Sequence, residues 1–127
     1  MKTSRTALGK EGEDLACCYL SEKGHIVLDR NWRHGHLEID IITLDKNGLH
    51  FVEVKSRTAP TTVDPLQNVD ARKRRNLVNA ALRYLHSDRR KLFSPDTELY
   101  FDIITIVFKG GESVIKYYPQ AFIPLYT

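Results

Sequence analysis

At 127 residues, with 42% hydrophobic and 28% charged side chains, the chain has the length of one domain, residues 1–127, and a composition that excludes the disordered and fibrous classes. No stretch approaches the roughly 20 consecutive apolar residues of a membrane helix, and residues 1–8 lack the apolar segment of a signal peptide. The net charge of +3 is unevenly spread: Arg72 to Lys91 carries eight Lys or Arg against Asp88 alone, a net of +7, which leaves −4 on the remainder, and such segregation suits a polyanionic partner or, more plainly, a solvated helix face.

In chain order, residues 7–23 are predicted as a helix that stops before Gly24, with Thr6 as N-cap. Leu8, Gly9, Gly12, Leu15, Ala16, Tyr19 and Leu20 share one arc, and Glu13 falls at its edge between Gly9 and Ala16. Those small neighbours allow a close approach to a sheet and leave room for the Glu13 carboxylate to reach inward; the competing reading is a capping or solvent-facing glutamate. Cys17 and Cys18, the only cysteines, point about 100° apart on this helix, so they cannot staple the fold and they suit a reducing cytoplasm.

Strands are predicted near His25–Trp32, Leu37–Leu44 and Leu49–Ser56. A polar loop broken by Pro60 and Pro65 spans Thr58 to Leu66. A second helix follows from about Gln67 to Ser87, with Leu77, Val78, Ala81, Leu82 and Leu85 as its apolar stripe and Arg72 to Arg75 over its first turns. Two further strands, Leu99–Phe108 and Ser113–Tyr118, are joined through Gly110-Gly111, a strong hairpin signal. The tail from Pro119 to Thr127 reads as irregular. The order α-β-β-β-α-β-β implies an α/β fold in which a mixed sheet is flanked by helices, and a strand after the second helix returns beside Leu49–Ser56.

The most informative feature lies in the central hairpin. Alternation points Phe51, Glu53 and Lys55 to one side of their strand and Val52 and Val54 to the other. Asp40 stands in an equally apolar run, Leu37 to Ile42, and Asp45-Lys46-Asn47-Gly48 supplies turn chemistry between the two. A two-residue loop at Asn47-Gly48 sets Asp40 opposite Lys55; a four-residue loop sets it opposite Glu53. Either register gathers the three side chains on one face, whereas a bulge or an odd-length loop turns Asp40 away. Two carboxylates and an ammonium in one place suit Mg²⁺, which takes a few carboxylate ligands, waters and a phosphate substrate. Such an ion activates water and neutralises a phosphoryl oxygen, while a neighbouring lysine holds the water or balances the developing charge. The alternative is a cross-strand ion pair worth ~0–1 kcal/mol. The apolar neighbours Ile39, Ile41, Val52 and Val54 weigh against it, because unpaired acids in a central hairpin are costly.

Six segments occur in a familiar order: Gly9-x-x-Gly12-Glu13-x-x-Ala16, Arg30-Asn31-Trp32-Arg33, Glu38-Ile39-Asp40-Ile41-Ile42, Phe51-Val52-Glu53-Val54-Lys55-x-Arg57, Lys73-Arg74-Arg75-x-Leu77 and Phe101-Asp102-Ile103. Together they resemble the YraN-like family of small bacterial proteins, regarded as predicted nucleases of the PD-(D/E)xK superfamily and related to archaeal Holliday-junction resolvases. The resemblance spans roughly residues 7 to 107. It implies a restriction-endonuclease-like core, with Asp40, Glu53 and Lys55 on the catalytic positions and Glu13 on the helix-1 glutamate of resolvase-like members. Gln67 matches loosely a glutamine found near the start of helix 2. Where the family usually has Gly before Glu-Ile-Asp, this chain has Leu37.

The expectation is therefore a cytoplasmic endonuclease dependent on Mg²⁺ or Mn²⁺ that hydrolyses DNA phosphodiesters. Branched or otherwise structured DNA is the substrate class borrowed from the relatives. Glu13, Asp40 and Glu53 are the candidate metal ligands, with the Val54 carbonyl as a further one, and Lys55 positions the nucleophilic water. Arg57, Arg72, Lys73, Arg74 and Arg75 are the candidate ligands of backbone phosphates. Resolvase-like relatives also imply a homodimer that cuts two strands symmetrically. The rival from another class is a binding module that keeps the fold and the basic helix but does not cut. His34-Gly35-His36 reads as a turn rather than a metal site, Trp32 as a part-buried aromatic at a strand end rather than a base-stacking platform, and Asp102 as a structural acid.

Overall fold

The computed structural model describes residues 7–60 and 71–122. Its elements are α1 (Ala7–Glu22), β1 (Ile26–His34), β2 (Leu37–Leu44), β3 (Leu49–Thr58), α2 (Ala71–Leu85), a 3₁₀ turn over Asp88–Leu92, β4 (Leu99–Lys109) and β5 (Glu112–Tyr118). The five strands form one mixed sheet in the order β1-β2-β3-β4-β5. Neighbours are antiparallel except β3 and β4, which run parallel in register from Leu49↔Leu99 to Thr58↔Phe108. A parallel pair needs a crossover, and α2 provides it. The expected α/β architecture and element order hold, including the return of a strand beside β3.

Each helix covers one face of the sheet. On one side Ala16 and Leu20 of α1 pack with Ile41, Val52, Ile104 and Ile106. On the other, Leu77, Val78, Ala81 and Tyr84 of α2, spaced as one helical stripe, pack with Ile39, Ile42, Phe51, Phe101 and Ile103. The close approach anticipated for α1 occurs at Gly12, where an added Cβ would stand 1.9 Å from Ser56 Oγ and 3.1 Å from Ser56 Cβ. Gly24, at φ +95, ends α1, and the bonds from His25 N to Leu20 O and from Gly24 N to Ser21 O complete a Schellman cap.

The ends of several elements differ from the sequence expectation. β1 begins at Ile26 and runs on to His34, and β3 continues through Thr58, taking the first residue of the expected loop. The 3₁₀ turn was not anticipated, because its run of charge reads as solvated; Ser87 caps it by accepting from Arg89 N. Thr6, Pro65, Gln67 and the last five residues of the tail lie outside the described residues. No described helix is long and apolar enough to cross a membrane.

Candidate functional site

The β2–β3 register settles the turn: Leu44 pairs with Leu49 and Ile41 with Val52, so Asp45–Gly48 form a four-residue loop. Asp45 Oδ1 accepts from Asn47 N at 2.9 Å and Gly48 N at 3.1 Å, closing the turn on its own side chain. Gly48, at φ +155, is required there, since a Cβ would meet Glu98 O at 2.3 Å.

Of the two registers open at the sequence level, this is the one that sets Asp40 toward Glu53. Strand pairing nevertheless stops at Ile41↔Val52. Beyond it, β2 stays paired only with β1, through Trp32↔Ile39, Arg33↔Glu38 and His34↔Leu37. Side-chain alternation also breaks here, because Ile39 and Ile42 both face α2 while Ile41 faces α1. Where continued pairing would offer a β2 carbonyl, Val54 N donates to Asp40 Oδ2 at 2.9 Å. The carboxylate thus takes over a backbone acceptor position at the point where two strands separate.

The parting strands and the start of α2 enclose an open pocket of about 360 Å³ lined by Asp40, Glu53, Arg72, Lys73, Asn76 and the His36–Glu38 corner. Asp40 and Glu53 are each only 8% exposed, Lys55 5% and Glu13 4%. Buried acids need compensation. Glu53 has it from Lys73, whose Nζ stands 2.7 Å from Oε1. Lys73 was expected to meet a phosphate; here its ammonium rests on the acid instead. Arg74 lies over the Phe122 ring, 5.4 Å from its centre, which leaves Arg72 as the arginine of this run that lines the pocket. Arg75 and Arg57 are exposed, and Arg57 donates to the carbonyl of Ser56.

Glu13 arrives from the α1 side. Its Oε1 accepts from Asn31 Nδ2 at 3.1 Å and lies 3.6 Å from Arg30, which also binds Asp14 at 2.7 Å. That hydrogen bond holds the exposed Asp14 carboxyl below its ordinary range. Asn31 sits at φ +52, and the β1–β2 register sets it across from Asp40. Asn31 therefore ties Glu13 to the stretch of β1 that lies beside Asp40. Glu13, Asp40 and Glu53 are not a group with carboxylate oxygens all within 4.8 Å of one another; among the described residues that closeness belongs to His25, Asp45 and His50.

The sequence reading missed Asn31 and Asn76 as participants. An asparagine inside a strand-like run, between Arg30 and Trp32, was a usable signal for the first, because asparagine is depleted in strands; Asn76 follows only from the helical spacing of Arg72 and Asn76 (i, i+4). His34-Gly35-His36 is a turn as expected, with Gly35 at φ +61. Trp32 is half-buried edge-on to Tyr84, ring centres 5.2 Å apart. Asp102 is a structural acid as expected: it accepts from Tyr117 Oη and Gln120 N and pairs with His50.

The carboxylates of Asp40 and Glu53 at the pocket are oxygen donors of the type hard divalent cations take, and Lys73 occupies Glu53 in this structure. Comparison with known proteins agrees with the sequence resemblance. Residues 12–106 match the model of Uncharacterised protein family UPF0102. The chain is 41% identical to a UPF0102 protein of Bacteroides thetaiotaomicron over 117 residues, 92% of this chain and 93% of that one. It is 41% identical over 100 residues to one of Chlorobium phaeobacteroides, covering 79% and 76%, and 38% identical over 122 residues to one of Syntrophotalea carbinolica, covering 96% of each. The chain belongs to the UPF0102, or YraN, family.

Proposed function

We propose that the protein is an endonuclease of the restriction-endonuclease-like type that hydrolyses DNA phosphodiester bonds in the cytoplasm with the aid of Mg²⁺ or Mn²⁺. The observation that carries this reading is the buried set Asp40, Glu53 and Lys55 at the opening between β2 and β3, beside a pocket rimmed by the cationic start of α2. Two acids and a lysine kept buried side by side at the rim of a pocket are the kind of charge cluster that marks a functional site.

Asp40 and Glu53 would hold the cation, with the Val54 carbonyl as a further ligand; Glu13 would join them only through a side-chain shift away from Asn31 and Arg30, since the three carboxylates do not meet in this arrangement. When bound, that ion supplies water activation and charge neutralisation at the phosphoryl group. The chain's own residues do the rest. The bond from Val54 N fixes the Asp40 carboxylate to the neighbouring strand, so its direction is set before substrate arrives. Lys55 lies two residues beyond Glu53 on the same face of β3, where it orients the attacking water and balances charge on the phosphorus oxygens. Lys73 neutralises Glu53 in the protein as it stands, and it would be free to meet a substrate phosphate if a cation were held at that acid. Arg72 and Arg75 add backbone-phosphate contacts that give sequence-independent affinity.

Incubation of supercoiled plasmid and four-way junction DNA with Mg²⁺ or Mn²⁺ tests the reading. Wild type is expected to cut, and Glu53→Ala and Lys55→Ala to lose at least about 10²-fold in rate. Salt-sensitive binding with no cutting by any of the three would instead support a non-catalytic DNA-binding module.

A further inference from the structure

We propose that His25, Asp45 and His50 form a second metal site, for one divalent cation of the zinc class, independent of Asp40 and Glu53. The three side chains come from the α1–β1 junction, the β2–β3 turn and the first residues of β3. Their ligand atoms all lie within 4.8 Å of one another. His50 Nε2 is 2.9 Å from Asp45 Oδ1, and His25 Nε2 is 3.4 Å from Asp45 Oδ2. Donors around a tetrahedral zinc, at bonds of about 2.0–2.1 Å, stand roughly 3.3 Å apart.

The outer contacts are those of a built site. His50 Nδ1 is 2.6 Å from Asp102 Oδ2, and Asp102 is already held as an acceptor by Tyr117 Oη and Gln120 N. His50 therefore donates from Nδ1, which leaves Nε2 and Asp45 Oδ1 as two acceptors face to face. Only a cation between them, a proton or a metal, makes that contact favourable. His25 is held at both nitrogens as well: Nδ1 is 2.6 Å from Thr43 Oγ1, a hydroxyl that can accept from it, and Nε2 is turned to Asp45. A histidine that donates its second ring N–H to a carboxylate, as His50 does to Asp102, is the usual state of a metal-bound imidazole. Both rings are buried and their centres are 4.6 Å apart, while the Asp45 side chain keeps 12% exposure as a way in. The backbone holds all three in place through the Schellman cap before His25, the Asn47 and Gly48 amides on Asp45, and the β3 ladder at His50. Two imidazoles and one carboxylate select zinc, cobalt or nickel over magnesium and leave a fourth position for water.

Chelator-stripped protein titrated with ZnCl₂ by calorimetry, and with Co²⁺ by visible absorption, tests this. The expected result is one ion per chain at micromolar or lower concentration, tetrahedral Co²⁺ bands, and a Tm raised by the metal. Asp45→Asn, which keeps an acceptor for the turn amides, and His25→Gln should each weaken uptake by more than roughly 100-fold, beyond the 10–100-fold cost of altering an outer partner. Asp40→Asn/Glu53→Gln should bind zinc as wild type does, so the result stands apart from the nuclease reading. Far-UV circular dichroism establishes that each variant is folded. Absence of stoichiometric uptake by wild type overturns the proposal and leaves a proton-bridged cluster only. Uptake unchanged in both His25→Gln and Asp45→Asn, or lost in Asp40→Asn/Glu53→Gln, overturns it equally.

Discussion

Ser56 and Lys73 show how much single residues decide at the start of this site. Ser56 Oγ is buried with no hydrogen-bond partner among the described residues, and it fills the space left by Gly12. A hydroxyl buried in this way lowers stability rather than raising it, so Ser56→Ala is expected to be neutral or to stabilise by up to about 1 kcal/mol in urea denaturation. Gly12→Ala brings a Cβ against Ser56, and overpacking of about 1–3 kcal/mol exceeds the helix-propensity gain of about 1 kcal/mol. It should destabilise, and Gly12→Ala/Ser56→Gly should recover most of the loss; a double variant as weak as the single would refute the steric account. Lys73 sets a different balance. Its ammonium competes with any cation for Glu53, so Lys73→Met should tighten Mn²⁺ binding by about fivefold, the equivalent of about 1 kcal/mol, in an electron paramagnetic resonance titration. Unchanged or weaker binding would remove Lys73 from the proposed role.

At the scale of elements, α2 joins two functions. Its inner stripe closes the core, and its first turns carry the basic rim. Arg72→Ala and Arg75→Ala should each lower the slope of log affinity for duplex DNA against log salt by about 1, with little change among sequences; a slope that stays constant would remove these residues from the interface. At its other end α2 is tied to β1, because the fully buried Tyr84 donates to Asp29 Oδ2 at 2.7 Å, an oxygen that also accepts from Arg89 at 2.9 Å. Burial, and then the hydrogen bond and charge of Asp29, push the Tyr84 phenol far above its ordinary value of 10.0. The unfolded chain ionises this phenol near pH 10 while the folded one does not. Its stabilisation is therefore present below pH 10 and is lost as pH climbs past it. Tm should fall between pH 9 and 11, and Tyr84→Phe, about 1 kcal/mol less stable at pH 8, should show a shallower fall.

For the molecule as a whole, the fold was legible because its periodicities are local. The two helical stripes, the alternation around Phe51 to Lys55 and the Gly110-Gly111 turn each announce one element, and their order leaves few ways to build a sheet. That Asp40 and Glu53 look onto one space was legible from either of two registers, since a side-chain period of 2 keeps the face the same in both. The splaying of β2 from β3 was not, because it depends on a side-chain carboxylate replacing a backbone acceptor. Lys73 on Glu53 joins a helix to a strand twenty residues earlier, a contact of tertiary packing that no local pattern encodes. The histidine cluster draws on His25, Asp45, His50 and Asp102, again across elements. Its one local signal was a histidine, His50, inside the apolar run from Leu49 to Val52.

The site between the parted strands is most directly tested by anomalous diffraction from a crystal soaked in Mn²⁺. The account predicts a peak within bonding distance of the Asp40 and Glu53 carboxylates, with Lys73 withdrawn from Glu53. An empty pocket there at millimolar Mn²⁺, with Lys73 still on Glu53, would contradict it.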